Sequence, residues 1–100
     1  MLSSMNSITQ LQYQVLDSMM DDAEDVEQLY LGVRDQFALR DVIDAVNGLL
    51  LEGLIEIRYT NDEATAPLNP INHAMIHHYW FGPTSAGKSA WQSFADANST

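Results

Sequence analysis

Cysteine is absent from this chain, which excludes a disulfide framework, a thiolate nucleophile and cysteine-ligated zinc. Positive charge is scarce: Arg34, Arg40, Arg58 and Lys88 stand alone against fourteen Asp and Glu, a formal net charge of −10. No stretch approaches the roughly 20 apolar residues of a membrane-spanning helix. The opening MLSSMNSITQ has neither a basic start nor an uninterrupted apolar run. These absences predict a cytoplasmic protein that does not enter a membrane. Internal repeats, low-complexity tracts and inter-domain linkers are also missing, and 100 residues suit one domain with one core. Apolar residues, 46% of the chain, suffice to fill it.

The strongest pattern present runs from Leu39 to Ile57, LRDVIDAVNGLLLEGLIEI. Leu39, Val42, Ile43, Val46, Leu49 and Leu50 recur at the three-and-four spacing of one helical face, and Asp41, Asp44, Gly48, Leu51 and Glu52 occupy the other. Gly53 falls where a left-handed residue closes a helix. Ile55, Ile57 and Tyr59 then alternate with Glu56 and Arg58, the period of a half-buried strand. The chain before this stretch reads as residues 1–7, a flexible lead, and two helices. Ile8, Leu11, Val15 and Met19 stripe a first helix of about 12 to 14 residues. Tyr13, Leu16 and Met20 make a second apolar line on it, which either widens the core or forms a homodimer face. The acids Asp21, Asp22, Glu24 and Asp25 suit the start of a second helix from about Ala23 to Val33, burying Val26, Leu29, Tyr30 and Val33. Residues 60–76 carry Asn61, Asp62, Pro67, Asn69 and Pro70 without apolar period, a long loop. His77 to Phe81 resumes alternation, with Tyr79 and Phe81 on one side and His78 and Trp80 on the other, so the two strands should pair as a hairpin. Thr84 is the predicted N-cap of a last helix lined by Gly87, Ala90, Trp91 and Phe94, fraying over residues 97–100.

The order helix, helix, helix, strand, loop, strand, helix resembles the winged helix-turn-helix fold over Ile8 to Phe94. Two motifs carry the resemblance. LLLEGLIEI, Leu49 to Ile57, looks like a recognition helix running into the first wing strand. YWFGPTSAGKSAW, Tyr79 to Trp91, is similar to the second wing strand and helix start of small bacterial regulators of the multiple-antibiotic-resistance and phenolic-acid-repressor types, with Pro83 where that pattern usually has leucine. The fold implied is α+β: a three-helix core, a two-stranded antiparallel wing hairpin and a C-terminal helix. No distinct short strand is read between the first two helices. The resemblance implies DNA binding, with the central helix in the major groove and the wing on the backbone.

Charge opposes that role. Duplex DNA is bound by neutralising phosphates, yet the central helix would present Asp41, Asp44 and Glu52 against Arg40, and the wing Asp62 and Glu63 with no Lys or Arg. One bidentate arginine contact discriminates by only about 1–3 kcal/mol and cannot supply the missing backbone affinity. The expected site is therefore a protein-binding face of Arg40, Asp41, Asp44, Gly48, Leu51 and Glu52, in which Gly48 admits a close backbone and Leu51 sits amid acids that steer a basic partner. His78 and Trp80 join Asp62 and Glu63 as wing candidates. The alternative function is a DNA-binding transcriptional regulator, a nucleotide-binding enzyme is the third and weakest reading, and the acidic face has the charge of a DNA mimic.

Gly82-Pro83-Thr84-Ser85-Ala86-Gly87-Lys88-Ser89 matches the phosphate-binding pattern G-x-x-x-x-G-K-[ST] in full. Only eleven residues follow Ser89, too few for the parallel sheet and magnesium-binding acid that such a loop requires, so a cofactor is not expected. His73 and His77 are four apart, a spacing that on a helix could share a metal, with His78 a third nearby, but they fall in a loop and strand start where His77 and His78 point to opposite faces, and no metal is expected. Thr84, Ser85 and Ser89 lack a spaced His partner, so catalysis is not expected.

Overall fold

The computed structural model describes residues 8–60 and 79–98. The protein is α+β: helices α1 (Gln10–Ser18), α2 (Val26–Val33) and α3 (Leu39–Leu51), strands β1 (Ile55–Thr60) and β2 (Tyr79–Pro83), and helix α4 (Ser85–Ala97). The strands pair antiparallel. Among the described residues no helix is long and apolar enough to cross a membrane. The lead predicted at residues 1–7 and residues 61–78, which hold most of the predicted loop, the predicted strand start at His77, Asp62, Glu63 and all three histidines, lie outside the described residues.

The α3–β1 junction forms as its sequence dictates. Val42, Ile43, Val46 and Leu49 are buried, joined by Ala45. Gly53 adopts φ 73°, the Leu54 amide donates to the Leu49 carbonyl at 2.9 Å and the Gly53 amide to the Leu50 carbonyl at 3.1 Å. This is the paired closure of a Schellman motif, which satisfies the helix's last carbonyls and turns the chain at once into β1. At the other end Ala38 has no capping side chain, and the Asp41 carboxylate accepts from the Ala38 amide at 3.1 Å instead.

Two helices are shorter than the pattern predicts. α1 has nine residues, bounded by a Thr9–Gln12 capping box with both bonds at 3.0 Å, and it ends where the Met19 amide tightens onto the Leu16 carbonyl. α2 starts at Val26 rather than Ala23, because Glu24 is engaged elsewhere. The Glu24 amide donates to the Phe81 carbonyl at 3.0 Å and the Phe81 amide to the Glu24 carbonyl at 2.9 Å, a one-residue antiparallel bridge on the free edge of β2. Asp25 is then the N-cap, its carboxylate accepting from the Gln28 amide at 2.9 Å. The acid run is therefore a bend at Asp21 and Asp22, a one-residue bridge at Glu24 and a cap at Asp25, and only Glu27 lies in the first turn of α2.

Glu24 has its pKa raised from 4.5, first by partial burial and then by the charges of Asp22 and Asp25. The folded protein thus holds this proton more tightly than the unfolded chain, and ionising Glu24 disfavours folding at pH above its folded pKa. Solvent screens a half-exposed carboxylate, so the effect is small. Glu24→Gln is expected to raise the urea midpoint at pH 7, with the gain vanishing as pH falls below 4.5. Urea titrations of both proteins at the two pH values check this, and an equal or lower midpoint at pH 7 contradicts it.

In the sheet, Ile55 faces Pro83, Glu56 faces Gly82 and Ile57 faces Phe81, after which the register shifts so that Tyr59 faces Trp80. Arg58 is the extra residue of this bulge. Tyr79 and Phe81 are buried, as alternation predicts, and so is Ile55. Ile57 departs from the pattern: it stands opposite the buried Phe81 yet is exposed, immediately before the bulge. The Arg58 guanidinium lies on the face of Gly82, in space that a Cβ would fill, and donates to the Pro83 carbonyl at 2.6 Å.

Thr84 caps α4 as predicted. Its hydroxyl oxygen accepts from the Gly87 amide at 3.0 Å and its hydroxyl donates to the Gly53 carbonyl at 2.7 Å. Its amide donates to the Leu54 carbonyl at 3.0 Å, so the start of α4 is latched to the α3–β1 junction. Further along, Phe94 stacks on Tyr13 with centroids 4.6 Å apart, Trp91 lies parallel to Tyr13 at 6.4 Å, and the Trp91 indole donates to Asp17 at 3.0 Å. Of the residues offered as a homodimer face, Leu16 is fully enclosed in this chain's core, Tyr13 is covered by α4, and Met20 packs partly buried against the core. That apolar line widens the core, because α4 folds back onto α1.

Candidate interaction surface

The outward side of α3 follows from its own periodicity. Burying Val42, Val46 and Leu49 leaves Arg40, Asp41, Asp44, Leu51 and Glu52 exposed. Leu51 is 74% exposed, the most open large apolar side chain among the described residues. Three carboxylates against one guanidinium give this face a net charge of −2. Gly48 is placed differently from the sequence expectation. It is half-buried, and the Gln12 side chain of α1 lies across it, 3.0 Å from where a Cβ would stand. The absent side chain accommodates a neighbour within this chain, so Gly48 does not supply a gap for an outside backbone.

The remaining cations lie off this face. Arg58 is turned onto the sheet, bonded to Pro83 and 3.5 Å from Glu56. Lys88 borders a hollow shared with Met19, Met20, Asp21, Asp22 and Arg58. Arg34 is the C-cap residue of α2. Trp80, the wing residue within the described part, is half-buried on β2 between the buried Tyr79 and Phe81.

The segment matching the phosphate-loop pattern has no loop. The chain passes from β2 to α4 through Thr84 alone, and the amides of Thr84, Gly87 and Lys88 are committed to Leu54, the Thr84 hydroxyl and the Thr84 carbonyl. Gly87 is required for a different reason, close packing on the Leu54 carbonyl. Among the described residues no three His, Asp or Glu converge in a way that could hold a metal ion.

One feature of the surface has no sequence signal. α4 carries Gly87, Ala90, Trp91 and Phe94 toward the protein, and its adjacent side, Ala86, Ser89, Ser93 and Ala97, walls a groove of about 680 Å³ with Ile8, Glu52 and Leu54. The groove exists because α1, the α3–β1 junction and α4 meet, contacts that no local pattern announces. No protein-family model, curated protein or solved structure matches the chain.

Proposed function

We propose that this chain is a non-catalytic regulatory module of winged-helix layout that binds a protein partner, a basic one favoured by charge, through the outward face of α3. The layout reading is supported by the element order and by the Glu24–Phe81 bridge, which stands between the first two helices where a three-stranded sheet would take its first strand. The function rests on one observation: the face of α3 left free by the core is net negative and ends in an exposed Leu51, while three of the four cations lie off it. Such a face repels phosphates and favours a basic surface with an apolar contact.

Fluorescence anisotropy of labelled duplex DNA, titrated with the protein at low and at physiological salt near pH 7, tests the reading. No change is expected at either salt. A variant carrying Asp41→Lys, Asp44→Lys and Glu52→Lys is expected to gain binding that weakens steeply with salt, because each added lysine releases counterions on meeting a phosphate. Steeply salt-dependent binding by the unaltered protein would replace this proposal with a DNA-binding transcriptional regulator.

A further inference from the structure

We infer that the groove along α4 receives a three-turn cationic amphipathic helix of the partner protein, its apolar side on the groove floor and Lys or Arg near both ends. The inference rests on the protein-partner reading above and gives that partner a shape and a charge pattern.

The groove has helix dimensions. Its wall runs along α4 from Ala86 to Ala97, eleven steps or about 16 Å at 1.5 Å per residue, three turns. Ala86, Ser89, Ala90, Ser93 and Ala97 are all small, so a second helix can lie at the close end of the usual interaxial range, about 8 Å. Leu54, Phe94 and Ile8 supply apolar floor.

Charge selects the occupant. Among the described residues Glu52 is the one charged side chain lining the groove. It stands beside the start of α4, where Thr84 bonds Gly53. At the far end the groove meets Ala97 and Asn98, the carbonyl end of α4, whose last turn holds no basic residue. A helix C-terminus carries about half a negative charge and favours cations. The half positive charge at the N-terminus of α4 offsets only part of the Glu52 charge, so both ends keep a net negative charge, and Lys88 borders a different hollow. A second copy of this chain fits poorly: antiparallel packing of two α4 helices would bring Glu52 of each copy to the carbonyl end of the other, with no cation among the described lining residues to answer it. Nucleic acid meets an apolar floor and negative ends. A helix with large apolar residues at i, i+3/i+4 and i+7 and basic residues at its ends meets every one of these features. Glu52 also belongs to the α3 face, so one partner can engage both.

The probe is a synthetic leucine–lysine amphipathic helix of about 16 residues, spanning the groove with a turn to spare, titrated into the ¹⁵N-labelled full chain at physiological salt. Two comparison peptides replace every lysine by glutamate or scramble the sequence at constant composition. Saturable amide shifts are expected at Ala86, Ser89, Ala90, Ser93 and Ala97 with the lysine helix, and at least about tenfold weaker binding for both comparison peptides, a difference of about 1.4 kcal/mol. Ser89→Arg and Ser93→Arg, at exposed positions and confirmed as folded by an unchanged urea midpoint, should each weaken binding by a similar factor. Shifts confined to Asp41 and Asp44, with Ser93→Arg without effect, would overturn the groove and leave the protein-partner reading intact. Equal binding of either comparison peptide, absence of binding, or self-association abolished by Ser93→Arg would also overturn it. Failure of the underlying reading shows separately, as duplex DNA binding in the anisotropy titration.

Discussion

Replacing Gly87 by alanine is expected to destabilise the protein by about 2 kcal/mol, even though alanine is the better helix former by about 1 kcal/mol. An added Cβ would collide with the Leu54 carbonyl oxygen and stand 2.9 Å from its carbon, and both are backbone atoms rather than the tip of a side chain that can swing aside. The first turn of α4 must then retreat from the α3–β1 junction. Its retreat stretches the Thr84 amide bond to Leu54 and the Thr84 hydroxyl bond to Gly53, each contributing roughly 1 kcal/mol. Overpacking adds about 1–3 kcal/mol, and the helix-propensity gain offsets part of the sum. With a urea slope near 1 kcal/mol/M for a small domain, the midpoint should fall by about 2 M. Gly32→Ala is the internal comparison. Gly32 lies exposed in α2 with nothing within 4 Å of a built Cβ and no positive φ, so the same chemical change there should stabilise by about 0.5–1 kcal/mol. A Gly87→Ala midpoint at or above that of the unaltered protein would mean that α4 does not press on Leu54 as described.

The same latch explains which parts of the molecule were legible in the sequence. Gly53, the apolar face of α3 and Thr84 are local signals: each needs only its neighbours within five residues to form its bonds, and each forms them. The start of α2 was misplaced because the acids before Val26 satisfy a helix-dipole pattern equally well, and only the distant Phe81 decides that Glu24 stays extended. Ile57 is exposed immediately before the bulge at Arg58, whose partners are again distant, since the guanidinium packs on Gly82 and bonds Pro83 across the sheet. Gly48 illustrates the limit for the candidate site. Its place on the outer side of a helical wheel was correct in direction, yet Gln12 of α1 lies across it, so the exposed face of α3 contracts to Arg40, Asp41, Asp44, Leu51 and Glu52. The groove behind α4 was invisible for a related reason. Ala86, Ser89, Ser93 and Ala97 are an unremarkable polar-to-small side of a helix until Leu54 and Ile8 are placed beside them.

Phe81→Ala should be the most damaging single truncation, lowering the unfolding free energy by about 3–5 kcal/mol. Phe81 is fully buried and is the largest side chain in the core at that level of enclosure. It also occupies the middle of the sheet, with Ile57 of β1 on one side and Glu24 on the other. The bridge bonds to Glu24 use only the Phe81 backbone and survive the substitution in principle. Their persistence depends on β2 being held in place by the ring, because a single bridge has no neighbouring pair to support it. A domain of this size has roughly 5–15 kcal/mol of stability in total, so the loss takes about a third or more of it near the middle of that range, and at the lower limit the variant is unfolded at room temperature. Chemical denaturation measures the loss. In variant protein that remains folded, faster hydrogen exchange at the Glu24 and Phe81 amides, beyond the change at α3 amides, would show that the ring holds the Glu24 bridge. Phe81→Leu, which keeps most of the apolar volume, should cost less than half as much. A loss under about 1 kcal/mol for alanine is outside what truncating a fully buried aromatic produces and would place Phe81 outside the core. The crossing at Glu24 would then lose its anchor, and with it the main structural support for the winged-helix reading.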